Sequence, residues 1–290
     1  MIGAVLVDKP AGITSHDVVD QIRRVLRTPS AGHTGTLDPF ATGLLVVLLG
    51  RATRLARFLQ TQPKTYLTTA RLGTRTDTDD LTGQVIESAS GSPDSITEVQ
   101  IREALANFLG EQQQLPPQFS AKLIDGERSY RKARRGETVA LSESPITIYH
   151  IDLLRYQPPD VIFRTVVSAG TYIRALARDV GDRLGVGAHL TELRREAIGS
   201  FRVEDAVPLS NLADASILPP HQVLGDLPSL VLDAAAQEAV AHGRPVKDSG
   251  AAGELGSGEA VALLGDGQLV AVAEAADGWL RPTVVLAGRA

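Results

Sequence analysis

A chain of 290 residues without cysteine has no disulfide framework, no thiolate nucleophile and no cysteine-ligated metal. A hydrophobic content of 43% supports one large domain plus a small one, and with aromatics at 4% the core relies on Leu, Val, Ala and Ile. The net charge of -5 speaks against a nucleic-acid partner only until its distribution is read: residues 1–75 carry +6 and residues 76–130 carry -7, and attraction to phosphate follows local patches rather than the total.

The start, Met1–Val7, is apolar but soon meets Asp8-Lys9-Pro10. It lacks a basic leader and is far short of a membrane span, so a cytoplasmic protein is expected. Ala4–Val7 reads as a strand and Asp8–Gly12 as a turn that holds Lys9. Ser15 is placed to cap a helix in which Val18, Val19, Ile22, Val25 and Leu26 recur at helical spacing, with Arg23, Arg24 and Arg27 on it.

In Gly32-His33-Thr34-Gly35-Thr36-Leu37-Asp38-Pro39-Phe40-Ala41-Thr42-Gly43-Leu44-Leu45 a single carboxylate stands among glycines. Pro39 pushes Asp38 out of the α region, so the acid belongs on a pinned, irregular turn. Leu44–Leu49 reads as a buried strand. A lone acid on a loop beside a core strand suits chemistry. Turn formation alone also explains Asp, Gly and Pro together.

Arg51–Leu59 reads as a helix with Arg51, Arg54 and Arg57 outward. Thr65–Leu72 reads as a strand with Tyr66 at its start. Asp77–Gly83 tempts one towards a metal. Leu81 occupies a ligand position, however, and no Glu closes the loop, so a solvated acidic turn is expected. Ser95 is placed to cap a helix containing Ile101, Ala104, Leu105 and Phe108. Leu115–Lys122 is a proline-broken loop, and Arg128–Gly136 a basic helical segment. Pro145–Tyr156 and Val161–Val167 read as joined strands.

Thr171 is placed to cap the next helix, which puts Arg174 in its first turn. The helix dipole disfavours a cation there, so Arg174 needs an anion, and Asp38 is the candidate. Beyond Val207-Pro208 the character changes. Residues 207–228 read as a linker after a catalytic domain of residues 1–206. An Ala-rich helix and short strands around glycine turns follow in residues 229–290.

The Gly32–Leu45 stretch resembles the signature of the TruB family of pseudouridine synthases. Lys9-Pro-Ala-Gly-Ile-Thr-Ser15, Lys64-Thr-Tyr66 with Arg71-Leu-Gly73, Gly170-Thr-Tyr-Ile-Arg174, and Gly187-Ala-His-Leu190 with Leu193-Arg-Arg195 resemble it further. Together these matches cover about residues 3 to 205. The resemblance implies an α+β fold, with a mixed, largely antiparallel sheet flanked by helices and a small C-terminal β-rich PUA-like domain. It implies conversion of uridine-55 in the TΨC loop of tRNA to pseudouridine, with Asp38 as nucleophile, Arg174 as its partner and Tyr66 stacked on the base. It places Leu193 near the base, and His33 in the space a flipped base vacates.

Lys9, Lys64 and the 128–135 segment are the cations expected to hold phosphates. The reaction breaks one glycosidic bond and rejoins the base through carbon, so neither cofactor nor metal is expected. Attack by Asp38 on the base and attack on the sugar both stand. The expected partner is the TΨC arm of tRNA, with no membrane and no obligate protein partner, the protein being a monomer. The alternative is an RNA-binding or tRNA-folding module whose catalysis is incidental. A guide-RNA-dependent synthase is disfavoured because no long basic tail is present.

Overall fold

The computed structural model describes residues 1–290 apart from 89–91, 120–122, 125–126, 129–134, 136–140, 226, 251–252, 254 and 287–290. Its elements in chain order begin with β1 (Gly3–Lys9), α1 (Ser15–Val25), β2 (Ala31–His33), β3 (Thr42–Leu49) and α2 (Ala56–Gln60). They continue with β4 (Lys64–Leu72), β5 (Thr74–Thr76), β6 (Val85–Ser88), α3 (Glu98–Ala106) and β7 (Gly110–Gln114). Then come β8 (Leu123–Ile124), β9 (Glu127–Arg128), β10 (Ser144–Gln157), β11 (Asp160–Val167), a helix over Ile173–Arg183, and β12 (Ala188–Ile198). The chain forms two compact units. One comprises Met1–Leu37, Leu45–Gln60 and Gly199–Ala290, the other Asp38–Leu44 and Thr61–Ile198. The expected α+β class and mixed sheet are found.

The unit built on residues 61–198 is a sheet in the order β12, β4, β11, β10, β7, with neighbours antiparallel. The first residues of β3 add a parallel pairing, Arg194 with Thr42 and Arg195 with Gly43. β4 alternates as a half-covered strand should: Lys64, Tyr66, Thr68, Ala70 and Leu72 are buried, and Thr65, Leu67 and Thr69 are less so. The helix Ile173–Arg183 lies on β12 and buries Ile173, Leu176, Ala177 and Val180. Each such large apolar side chain contributes roughly 1.5–3 kcal/mol. At Gly181 a Cβ would lie 2.3 Å from the Ala188 backbone nitrogen, so the close packing there requires glycine.

In the other unit β1 runs parallel to Val207–Pro208, with Val7 opposite Val207, and Ala4 bridges to Leu218. Parts of the segment read as a linker are thus pinned to β1. α1 packs Val18, Val19 and Ile22 against Val5, Val7, Leu45, Val47 and Leu49. The same unit holds a five-stranded sheet in the order Ser229–Val231, Ala260–Gly265, Gln268–Ala276, Trp279–Val285, Val246–Lys247, cored by Val240, Val261, Leu263, Ala271 and Leu280. Arg51, Arg54 and Arg57 do point away from their own helical turns. There they donate to Leu286 O, Val285 O and Thr283 Oγ1.

Three helix starts differ from expectation. α1 is capped by Thr14, not Ser15, and α3 by Thr97, not Ser95. In both, the residue three positions on, Asp17 or Gln100, returns a bond to the cap backbone, and this reciprocal pair decides the start. The Ile173–Arg183 helix starts at Tyr172 with no side-chain cap of its own, not at Thr171. The expected basic helix 128–136 is not seen as such. Arg128 lies in β9, paired with Leu123, Arg135 is exposed, and most of the segment lies outside the described residues. No helix among the described residues is long and apolar enough to cross a membrane.

Candidate active site

The Asp38 turn is fixed by short-range chemistry on either side. Leu37, just before it, is buried, and its N–H donates to Ser15 Oγ at 2.8 Å. After Asp38, the Ala41 N–H returns to the Asp38 carbonyl at 3.1 Å and closes a turn around Pro39. Gly43 ends the loop with φ +102, and a Cβ there would lie 2.3 Å from the Arg195 carbonyl oxygen. Glycine is required because the backbone of β12 occupies that space.

Arg174 reaches this turn from the first turn of its helix. Its Nε donates to Asp38 Oδ2 at 2.8 Å and its Nη2 to Asp38 Oδ1 at 3.3 Å. Nη1 donates to the Thr78 carbonyl at 2.7 Å, and Nη2 also to the Phe119 carbonyl at 2.8 Å. Asp80 Oδ2 lies 3.6 Å from Nη1. The Arg174 side chain is 6% exposed and the Asp38 side chain 33%. The guanidinium is therefore spent inward, while the carboxylate keeps an open side. Two carboxylates and two carbonyls offset the unfavourable dipole at a helix start. The helix start itself is held from outside: Gln114 accepts from Tyr172 N at 2.9 Å and donates to Tyr172 O at 3.0 Å.

The Asp77–Gly83 turn was expected to be solvated, and this holds for Asp77, Leu81 and Thr82 but not for its central acids. Asp80 is 4% exposed. Its Oδ1 accepts from Thr78 Oγ1, Thr82 N and Thr82 Oγ1. Asp79 pairs with Arg178 at 3.1 Å. Burial pushes the Asp79 carboxyl up to about 6, against the pull of Arg178 and Arg174. Asp179 is also pushed up by burial, against Arg178. Two cations four residues apart on one helix face, and adjacent acids in one turn, were the available signal for this cluster.

Tyr66 is 8% exposed on β4, opposite Arg195 on β12, which is in turn opposite Gly43. One row across the sheet thus carries Tyr66, Arg195 and the end of the Asp38 loop. Leu193, 7% exposed, sits opposite Thr68. His33 belongs to β2, opposite Val47.

The two lysines do not fit the expected phosphate role. Lys9 is fully buried and its ammonium donates to Pro10 O and Ile13 O, so it ties its own turn together. Lys64 is 7% exposed and donates to Gln62 O at 2.6 Å. Burial, with the Arg195 charge nearby, pushes its amine down to about 8.

A family model described as TruB family pseudouridylate synthase (N terminal domain) matches residues 23–173, and one described as tRNA pseudouridylate synthase B C-terminal domain matches residues 174–234. The chain belongs to the TruB family. A TruB relative named tRNA pseudouridine synthase B from Thermobifida fusca is 43% identical over 99% of both chains. Another of that name, from Mycobacteroides abscessus, is 43% identical over 91% of this chain and 92% of its own. Among solved structures, a chain of an H/ACA RNP bound to a substrate RNA containing 2'-deoxyuridine is similar. Its TM-score is 0.77 at 28% identity, over 99% of this chain and 86% of that one. Asp38 thus lies in the segment matched by the N-terminal model of this pseudouridylate synthase family, and Arg174 is the first residue matched by the C-terminal one.

Proposed function

We propose that this chain isomerises uridine-55 in the TΨC loop of tRNA to pseudouridine, acting without a guide RNA. The observation that carries the reading is the two-nitrogen ion pair of Arg174 with an Asp38 carboxylate that keeps an open side. A paired guanidinium orients the carboxylate through two charge-assisted bonds, as a nucleophile requires. Asp38 attacks the nucleoside, the glycosidic bond breaks, the base turns and rejoins the sugar through carbon, the bond to Asp38 is released, and the proton lost from that carbon is matched by one gained on the freed ring nitrogen. The step consumes no oxidant and no water.

A uridine inside a folded loop has to leave the stack first. In this reading Tyr66 stacks on the extruded base, Leu193 bounds it, and His33 fills the vacated position. Lys9 and Lys64 keep the motif loops in shape. Exposed arginines such as Arg24 and Arg27 carry the salt-dependent contact with phosphate. Relatives named tRNA pseudouridine synthase B, matched over nearly their whole length, support tRNA as the substrate.

The test is mass-spectrometric mapping of pseudouridine on tRNA transcripts incubated with the purified protein alone. One new pseudouridine at position 55 is expected, and none with Asp38→Asn. Modification at other positions only, or full activity of that variant, refutes the reading.

A further inference from the structure

Arg174 is held only as firmly as its acceptors. Those lie on two segments remote in sequence: Thr78 and Asp80 in the acidic turn, and Phe119 beyond a diproline. One helical turn after Arg174 stands Arg178, on the same helix face. Its Nη1 donates to Asp79 Oδ2 at 3.1 Å and its Nη2 to the Leu115 carbonyl at 2.9 Å. Its Nε is oriented by Asp179 at 2.9 Å. Arg178 therefore grips the same two segments. It takes the acidic turn between Thr78 and Asp80, and the other segment four residues before Phe119.

Asp79 itself adopts φ +60, a left-handed conformation uncommon for a residue with a side chain. Its carbonyl accepts from Leu190 N at 3.0 Å. A strained residue persists where its surroundings over-determine it. Here the surroundings are β12 on one side and Arg178 on the other. The two side chains are 13% and 20% exposed, so the pair is largely shielded from solvent.

We propose that Asp79 and Arg178 are positioning residues. Their ion pair sets the acidic turn at the height where Thr78 O and Asp80 meet Arg174, and so sets the angle at which Arg174 presents Asp38. The proposal rests on Asp38 and Arg174 being the reacting pair.

Geometry also gives the pair a pH signature. Asp79 is faced by Arg174, Arg178 and Asp179 from the helix. Asp77 and Asp80 share its own turn, and His189 on β12 is engaged by Thr74 O. With its carboxyl near 6, Asp79 loses its charge on mild acidification. Arg178 then keeps Asp179 but loses its charged partner on the turn, and the turn is released.

Three quantities test this on the full-length protein: single-turnover rate at saturating tRNA, tRNA affinity by filter binding, and the Arg174 Nε–H signal by NMR. Asp79→Asn and Arg178→Gln are each expected to slow the single turnover roughly 100-fold, the scale of a small misplacement of a reacting group. Affinity should stay within about 2-fold, because neither side chain is placed to touch RNA. In the unmodified protein the Arg174 signal should move as pH falls through about 6, and in Asp79→Asn it should not. Wild-type rates in both variants overturn the proposal. So does slowing with an unmoved Arg174 signal, and so does an Arg174 signal that ignores pH in the unmodified protein. Activity of Asp38→Asn would overturn the reacting pair instead, and the NMR titration would still decide the positioning.

Discussion

Arg174 and Asp38, 136 residues apart in sequence, meet through two nitrogens and two oxygens at 2.8 and 3.3 Å. Asp38→Asn keeps the shape and most of the hydrogen bonding but removes the charge. Pseudouridine formation should fall at least about 1000-fold, or ~4 kcal/mol, with tRNA binding retained. Rapid-quench single-turnover assays beside filter binding would check both. Arg174→Lys offers a point charge where four acceptors expect a fork. Breaking a largely buried pair costs about 3 kcal/mol at the lower end of the usual range. A urea titration should show that loss, together with a slowed reaction.

Asp79 makes stability pH-dependent in an unusual direction. Its folded pKa, about 6, lies above the unfolded value of 3.8. The folded state therefore binds the proton more tightly. The contribution of Asp79 is most favourable below about 3.8 and is lost as pH rises towards about 6. The full swing is on the order of 3 kcal/mol. Asp79→Asn does not titrate. Urea midpoints of the two proteins across that window should shift relative to each other, the wild type losing ground as pH rises. Parallel midpoints would show that burial does not raise this carboxyl.

Lys64 should stand apart from the exposed lysines. Burial lowers its amine to about 8, while surface lysines titrate near about 10.4. After reductive methylation with carbon-13 formaldehyde, one amine signal should titrate near 8 and vanish in Lys64→Arg. All lysines titrating together would contradict the buried placement.

Gly43→Ala tests the approach of β12 to the Asp38 loop. The added methyl would meet the Arg195 backbone at 2.3 Å, at a φ of +102. Backbone strain alone costs on the order of 1–3 kcal/mol. Thermal unfolding should report at least that, and the reaction should slow as the loop end is displaced. An alanine variant with wild-type midpoint and rate would mean the strand approach is adjustable.

Much of the fold was legible because periodicity is local. β4 alternates as read, and the Leu44–Leu49 run is buried throughout. The Arg174–Asp38 pairing was legible for another reason: a cation at a helix start needs an anion, and the resemblance to the TruB signature pointed to Asp38 as that anion. The centre of the acidic turn was misread because charge in a single sequence looks like solvation. What makes Asp79 and Asp80 buried is the arrival of Arg174 and Arg178, almost 100 residues later. Lys9, read as both packing and facing RNA, shows the packing part of that reading. A cation in a turn suggests an outward role, but its ammonium folds back onto the carbonyls of its own loop.

The amide of Gln114 bonds both the N–H and the carbonyl of Tyr172, on a helix that lacks a side-chain cap of its own. That helix is therefore not an autonomous unit. A peptide excised around Gly170–Leu184 should fray at the end that carries Arg174. The bearing of the guanidinium thus depends on the strand Gly110–Gln114 at the edge of the sheet, far from Arg174 in sequence.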